Sequence, residues 1–126
     1  MAEILIIEDM PGVRQAISSM LKRAGHAVAL AENGRQGLDE LKKRRFDLVV
    51  TDMLMPGADG MEVLTQLDGI PNHPPVIAIS GGGAGVSAES ALKAAKLKAN
   101  AFLQKPFERA ELLAAVEQLL GRSSAA

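Results

Sequence analysis

Three short apolar runs, Ile4–Ile7, Leu48–Val50 and Val76–Ile79, constrain the fold of this chain more than any other feature. Each is too short for a self-standing helix and shows no polar–apolar alternation, so each reads as a strand covered on both faces. Strands of that kind belong to parallel sheets with a helical layer on either side. The residues at their carboxyl ends are less ordinary. Glu8 and Asp9 come directly after the first run, Thr51 and Asp52 close the second, and Ser80 closes the third. Burying a strand that delivers carboxylates to its own carboxyl end calls for a reason.

Between the strands the period changes to that of a helix. The first strand covers Glu3–Ile7, and from Pro11 the residues Val13, Ala16, Ile17, Met20, Leu21 and Ala24 recur at helical spacing. Pro11 suits a first turn, and Gly25 a left-handed stop. "HAVALAE" is a second strand with more alternation, as an edge would have, and Asn33 caps a helix through Leu38 and Leu41. The third strand is expected over Asp47–Thr51, followed by a helix containing Met61, Val63, Leu64 and Leu67. Val76–Ser80 is the fourth strand, Ala91–Leu97 is helical, and "NAFLQ" is the fifth strand. A last amphipathic helix over Glu108–Leu120 should stop at Gly121, which gives one domain over residues 1–121 and a short disordered tail over 122–126. Five strands alternating with helices favour an α/β doubly wound parallel sheet in the order 2-1-3-4-5, a flavodoxin-like three-layer sandwich.

Composition narrows the function by exclusion. A net charge of −1 gives no electrostatic footprint for nucleic acid or for an anionic membrane. Zero cysteines remove disulfides, thiol nucleophiles and thiolate metal sites, and fit a cytoplasmic protein. No segment approaches membrane-spanning length, and the apolar stretch near the start is too short for a signal peptide. His26 and His73 have no partner at metal-ligand spacing and are expected at the surface. The glycines after Ser80 lack the Lys-Ser/Thr of a nucleotide-binding loop and read as a flexible connector.

In the 2-1-3-4-5 order, strands one and three are neighbours at the topological switch point, where ligands bind beyond the carboxyl ends. Glu8, Asp9 and Asp52 therefore converge on one crevice. A lone acid at a strand end is usually just solvated. Three together repel one another, and a hard divalent cation such as Mg²⁺ removes that cost with few protein oxygens and retained water.

These features together resemble the receiver domain of two-component response regulators, CheY-like in fold, over essentially the whole chain. The residues that carry the resemblance are Glu8-Asp9, Asp52 with the following "MLMPGADG", Ser80, and "KPF" at 105–107. The resemblance implies that Asp52 accepts a phosphoryl group from a phosphohistidine of a sensor histidine kinase or a histidine phosphotransfer protein. It implies Mg²⁺ bound by Asp9, Asp52 and the backbone carbonyl of Leu54, with Glu8 acting through a metal-bound water. By the same resemblance, Lys105 pairs with one phosphoryl oxygen and Ser80 hydrogen-bonds another, while Phe102 swings inward as Ser80 moves. Lys105–Pro106 is expected to be a cis peptide. The chain would be a signalling protein that catalyses only its own phosphorylation and dephosphorylation. It would act as a monomer or a weak phosphorylation-dependent dimer on a downstream protein target, by contact or by onward phosphotransfer. A flavodoxin-like electron carrier and a receiver that acts without phosphorylation are the alternatives. The first lacks the phosphate loop and the aromatic rings that a flavin needs, with Trp 0 and Tyr 0 in the chain.

Two departures from the common pattern bear on how long the phosphoryl group survives. Leu54 and Gly82 stand where the family often carries a polar side chain that aligns the attacking water. Leu54→Asn or Gly82→Glu should therefore speed loss of phosphate several-fold at unchanged Mg²⁺. Single-turnover decay of purified phosphoprotein checks this, and equal or slower decay in both variants would remove water alignment as the determinant.

Overall fold

The computed structural model describes residues 2–52, 65–67, 69–70, 73–80, 100–104 and 107–125. In chain order the elements are β1 (Glu3–Ile7), α1 (Pro11–Arg23), β2 (Ala27–Ala31), α2 (Gly34–Lys43), β3 (Leu48–Asp52), β4 (Val76–Ser80), β5 (Ala101–Gln104) and α3 (Arg109–Ala125). All four strand pairings are parallel, and the sheet runs β2-β1-β3-β4-β5, as expected.

The apolar runs are buried because the pleat sends successive side chains to opposite layers. Leu5 and Ile7 of β1 join Val49, Val76, Ala78, Phe46 and Leu67, with Leu41 of α2 packed against them. Ile4 and Ile6 join Leu48, Val50, Ile77 and Ile79 on the other face, under Ile17 and Leu21 of α1 and Leu112, Val116 and Leu119 of α3. Fully burying one Leu or Ile contributes about 1.5–3 kcal/mol, so two-sided burial stabilises the central strands strongly. At the edge, β2 is less enclosed, and its Leu30 stays exposed.

The helix ends follow local chemistry. Pro11 occupies the first position of α1, and Gly25 ends that helix with a φ of 95°. Asn33 caps α2 by accepting the Gln36 N–H at 2.9 Å, and Gln36 Oε1 accepts the Glu32 N–H at 2.9 Å in return. That exchange satisfies two donors at the helix entry.

Several boundaries differ from those expected on sequence. Asp47 lies before β3, not in it, and Asp52 lies inside the strand. Asp47 makes a side-chain substitute for ladder pairing: its Oδ2 accepts the Glu3 N–H at 2.8 Å while its own N–H donates to the Glu3 carbonyl at 2.7 Å. Asn100 does the same for β4 and β5, exchanging its N–H and Oδ1 with Val76 at 2.9 Å each. Gly121 does not stop α3, whose helical backbone continues to Ala125. A glycine costs a helix only about 1 kcal/mol relative to Ala, so it ends one reliably only where the backbone turns left-handed. Among the described glycines, Gly25 is the one at positive φ. The histidines are partly exposed, each half-buried at the surface. His26 Nδ1 accepts the Ala2 N–H at 3.2 Å, and His73 Nδ1 lies 3.0 Å from the Pro74 carbonyl. Of the helix expected after β3, Thr65–Leu67 is helical and Leu67 is buried, while Met61, Val63 and Leu64 lie outside the described residues. The expected helix at Ala91–Leu97 also lies outside them. No helix among the described residues is long and apolar enough to cross a membrane.

One close approach fixes α2 against the sheet. A Cβ on Gly37 would fall 2.7 Å from Ile7 Cγ1 and still nearer its Cδ1. The Ile7 side chain is fully buried and has little room to yield. Gly37→Ala should therefore destabilise the protein by about 1–3 kcal/mol, despite the better helix propensity of Ala. Denaturant unfolding followed by circular dichroism measures this, and Gly12→Ala is the control, since a Cβ there meets nothing within 4 Å.

Candidate functional site

β1 and β3 pair directly, with Ile7 level with Thr51. One residue further along the two strands come Glu8 and Asp52, and Asp9 comes next on the β1 side. The next parallel partner extends the row: Asp52 is level with Ile79 of β4, and Ser80 ends that strand level with Gln104 of β5. The topology thus gathers the carboxyl ends of four strands along one edge of the fold.

Glu8, Asp9 and Asp52 each place a carboxylate oxygen within 4.8 Å of the others. Glu8 is 1% exposed and Asp52 4%, while Asp9 is half-buried. Burial limits the water that screens these carboxylates from one another, so their close grouping favours a positive charge among them. A divalent cation supplies that charge. The donor set is all oxygen and small, as Mg²⁺ prefers when it keeps several waters, and it offers nothing to thiophilic metals. The residues present fit Mg²⁺.

Glu8 is held at several points. Its N–H donates to the Ala31 carbonyl at 3.0 Å, which continues the β1–β2 ladder past the strand. Its Oε2 accepts the Met10 N–H at 3.2 Å, so that oxygen is tied into the turn entering α1. Its carbonyl accepts from Arg14 Nη1 at 2.9 Å. Asp52 sits at the end of a fully buried strand, and the Thr51 hydroxyl donates to the Asp52 carbonyl at 3.2 Å.

Of the residues singled out from the sequence, the structure brings Glu8, Asp9 and Asp52 together. It places the backbone of Ser80 at the end of β4 and that of Phe102 in β5, level with Ala78. The side chains of Ser80 and Phe102 lie outside the described residues, as do Leu54, Gly82, Lys105, Pro106 and the Lys105–Pro106 peptide.

The family model described as "Response regulator receiver domain" matches residues 4–117. The chain belongs to this family. The receiver is 35% identical over 121 residues to the response regulator MprA of Mycolicibacterium vanbaalenii, covering 96% of the chain and 51% of that protein. It is 36% identical over 119 residues to the transcriptional regulatory protein FixJ of Azorhizobium caulinodans, covering 94% of the chain and 55% of FixJ. The receiver thus spans about half the length of these two relatives. Among solved structures, a response regulator receiver domain protein of Clostridium thermocellum superposes with a TM-score of 0.89 at 31% identity, covering 99% of this chain and 98% of that one. A Francisella receiver domain gives 0.86 at 28% identity, covering 98% and 99%.

Arg14 is a site-adjacent residue that the sequence pattern does not single out. Its one signal there is electrostatic: a cation in the first turns of a helix sits at the unfavourable end of the helix dipole, so something else must hold it.

Removing one of three crowded carboxylates has two opposite effects. Asp9→Asn relieves like-charge repulsion and should leave the metal-free receiver at least as stable as the wild type. The same change should weaken Mg²⁺ binding by about tenfold or more. Denaturant unfolding without metal and amide NMR titration with Mg²⁺ measure the two effects separately.

Proposed function

We propose that this receiver takes a phosphoryl group onto Asp52 from a phosphohistidine of a sensor histidine kinase or a histidine phosphotransfer protein. The observation that supports it is the convergence of Asp52 with Glu8 and Asp9 beyond the sheet's carboxyl end, with one oxygen of each within 4.8 Å of the others. In the transfer, an Asp52 carboxylate oxygen bonds to phosphorus as the donor's P–N bond breaks, and the imidazole leaves with the electron pair of that bond.

Such a transition state needs positioning and charge neutralisation more than covalent help from the protein. Asp9, Asp52 and the Leu54 carbonyl would hold Mg²⁺, with Glu8 acting through water, and the cation would supply charge neutralisation for the transferring group. The burial of Asp52 excludes bulk water from its carboxylate and strengthens whatever charge faces it. Glu8 Oε2, engaged with the Met10 N–H, suits a contribution at one remove from the cation. Lys105 gives one phosphoryl oxygen a compact ammonium, and Ser80 gives another a hydroxyl hydrogen bond. Phe102 follows Ser80 inward, and the face beside β5 carries the change to a downstream protein, by contact or by onward phosphotransfer.

Acetyl phosphate or beryllofluoride with Mg²⁺ tests the reading without knowledge of the kinase. We expect the wild type to gain one phosphoryl group by intact mass and Asp52→Asn to gain none. In the beryllofluoride form, amide resonances should shift at Ser80 and Phe102 as well as at Glu8, Asp9 and Asp52. Labelling that persists in Asp52→Asn would sink the assignment, and a wild type that never labels would favour a receiver acting by binding alone. Shifts confined to the acidic cluster would remove the role of Phe102.

A further inference from the structure

The turn between β1 and α1 carries two of the three clustered carboxylates, and although Pro11 presets the first helical position, no capping side chain holds it. Met10 is the N-cap of α1, makes no side-chain capping bond and is 54% exposed. The first turn of α1 contains no acid, and a Cβ on Gly12 would meet nothing within 4 Å. The first N–H groups of a helix have no intrahelical partner, so its entry depends on groups outside the helix ladder.

Arg14 is placed to restrain that entry. Its backbone N–H donates to the Met10 carbonyl at 2.9 Å, and its Nη1 donates to the Glu8 carbonyl at 2.9 Å. Glu8 in turn accepts the Met10 N–H through Oε2 at 3.2 Å. The three bonds close a ring around Asp9, which lies between Glu8 and Met10 in the chain. The second guanidinium branch reaches to 4.0 Å from Glu32 Oε1, just beyond β2. Glu32 is 66% exposed, so this contact is worth little by itself, whereas the Arg14 side chain is only 12% exposed. A nearly buried cation near a helix N-terminus loses solvation and meets an unfavourable dipole. The hydrogen bond to the Glu8 carbonyl is its clear compensation, and the rigid planar fork of Arg suits it.

We propose that Arg14 is a positioning residue for the acidic cluster, locking the Glu8 carbonyl so that the Glu8 and Asp9 carboxylates leave β1 in the directions a divalent cation needs. This inference rests on the Mg²⁺ site proposed above. Arg14 touches neither the cation nor the phosphoryl group and acts through the main chain of Glu8.

Charge alone predicts the opposite outcome, and that makes the proposal testable. Deleting a cation beside three carboxylates should tighten Mg²⁺ binding, and the gain should fade as salt screens it. Loss of positioning should loosen binding at every ionic strength. Mg²⁺ titrations followed by amide NMR at low and high salt would compare the wild type, Arg14→Met, Arg14→Lys and Asp9→Asn. We expect Arg14→Met to bind Mg²⁺ about tenfold more weakly at both salt levels, in the range for lost outer-sphere support. Arg14→Lys, which keeps the charge but not the fork, should also lose affinity, and it carries the test if Arg14→Met does not fold. Unchanged or tighter binding in the folded Arg14 variants, with Asp9→Asn still weakened, would overturn the role of Arg14 and leave the metal site standing. A wild type that does not bind Mg²⁺, or an Asp9→Asn variant that binds as well as it, would overturn the site and this inference together.

Discussion

The direct pairing of β1 with β3 is the constraint on which the rest of the structure depends. These strands are neighbours in space but not in sequence, because β2 was laid down on the far side of β1. Both are buried on both faces, so their main-chain polar groups find partners only in the ladder, and the register is held against slippage. A slip of one residue would turn Ile4 and Ile6 toward the layer now filled by Leu5 and Ile7. It would also move Glu8 away from Asp52. The core and the carboxylate cluster are therefore specified by the same alignment, and a change of register alters both.

That coupling explains why acids can be buried here at all. A carboxylate at 1% or 4% exposure loses most of its hydration, so it depends on the protein groups placed around it. The packed strands hold the groups where unassisted electrostatics would disperse them. The acidic cluster thus lies at the end of a sheet whose central strands are mostly apolar.

Much of this was legible in the sequence. The unalternating runs of β1, β3 and β4 marked a covered parallel sheet, and the acids at their ends marked the pocket. Other features were hidden for identifiable reasons. Asp47 and Asn100 replace ladder bonds with side-chain bonds, which sequence periodicity does not register, so strand edges shifted by a residue. Gly121 looked like a stop, but a glycine reads as one only when its φ is known. The closeness of Gly37 to Ile7 depends on the distance between two elements, and no run of letters contains it. Arg14 escaped because its partner is a main-chain carbonyl, which carries no residue identity at all.

The course of α3 has a consequence for how such a domain can be wired to other parts. The helix starts just after β5 leaves the carboxyl end of the sheet, and its 17 residues extend for about 25 Å. Leu112, Val116 and Leu119 pack in the same layer as Ala2, so the helix travels back toward the opposite pole. The first described residues are moored at that pole by the Ala2 bonds to His26 and Ala27. Anything joined covalently at either extremity would begin its path on the side remote from Asp52. News of the carboxylates would have to cross the full depth of the sheet, or go around it over the helices.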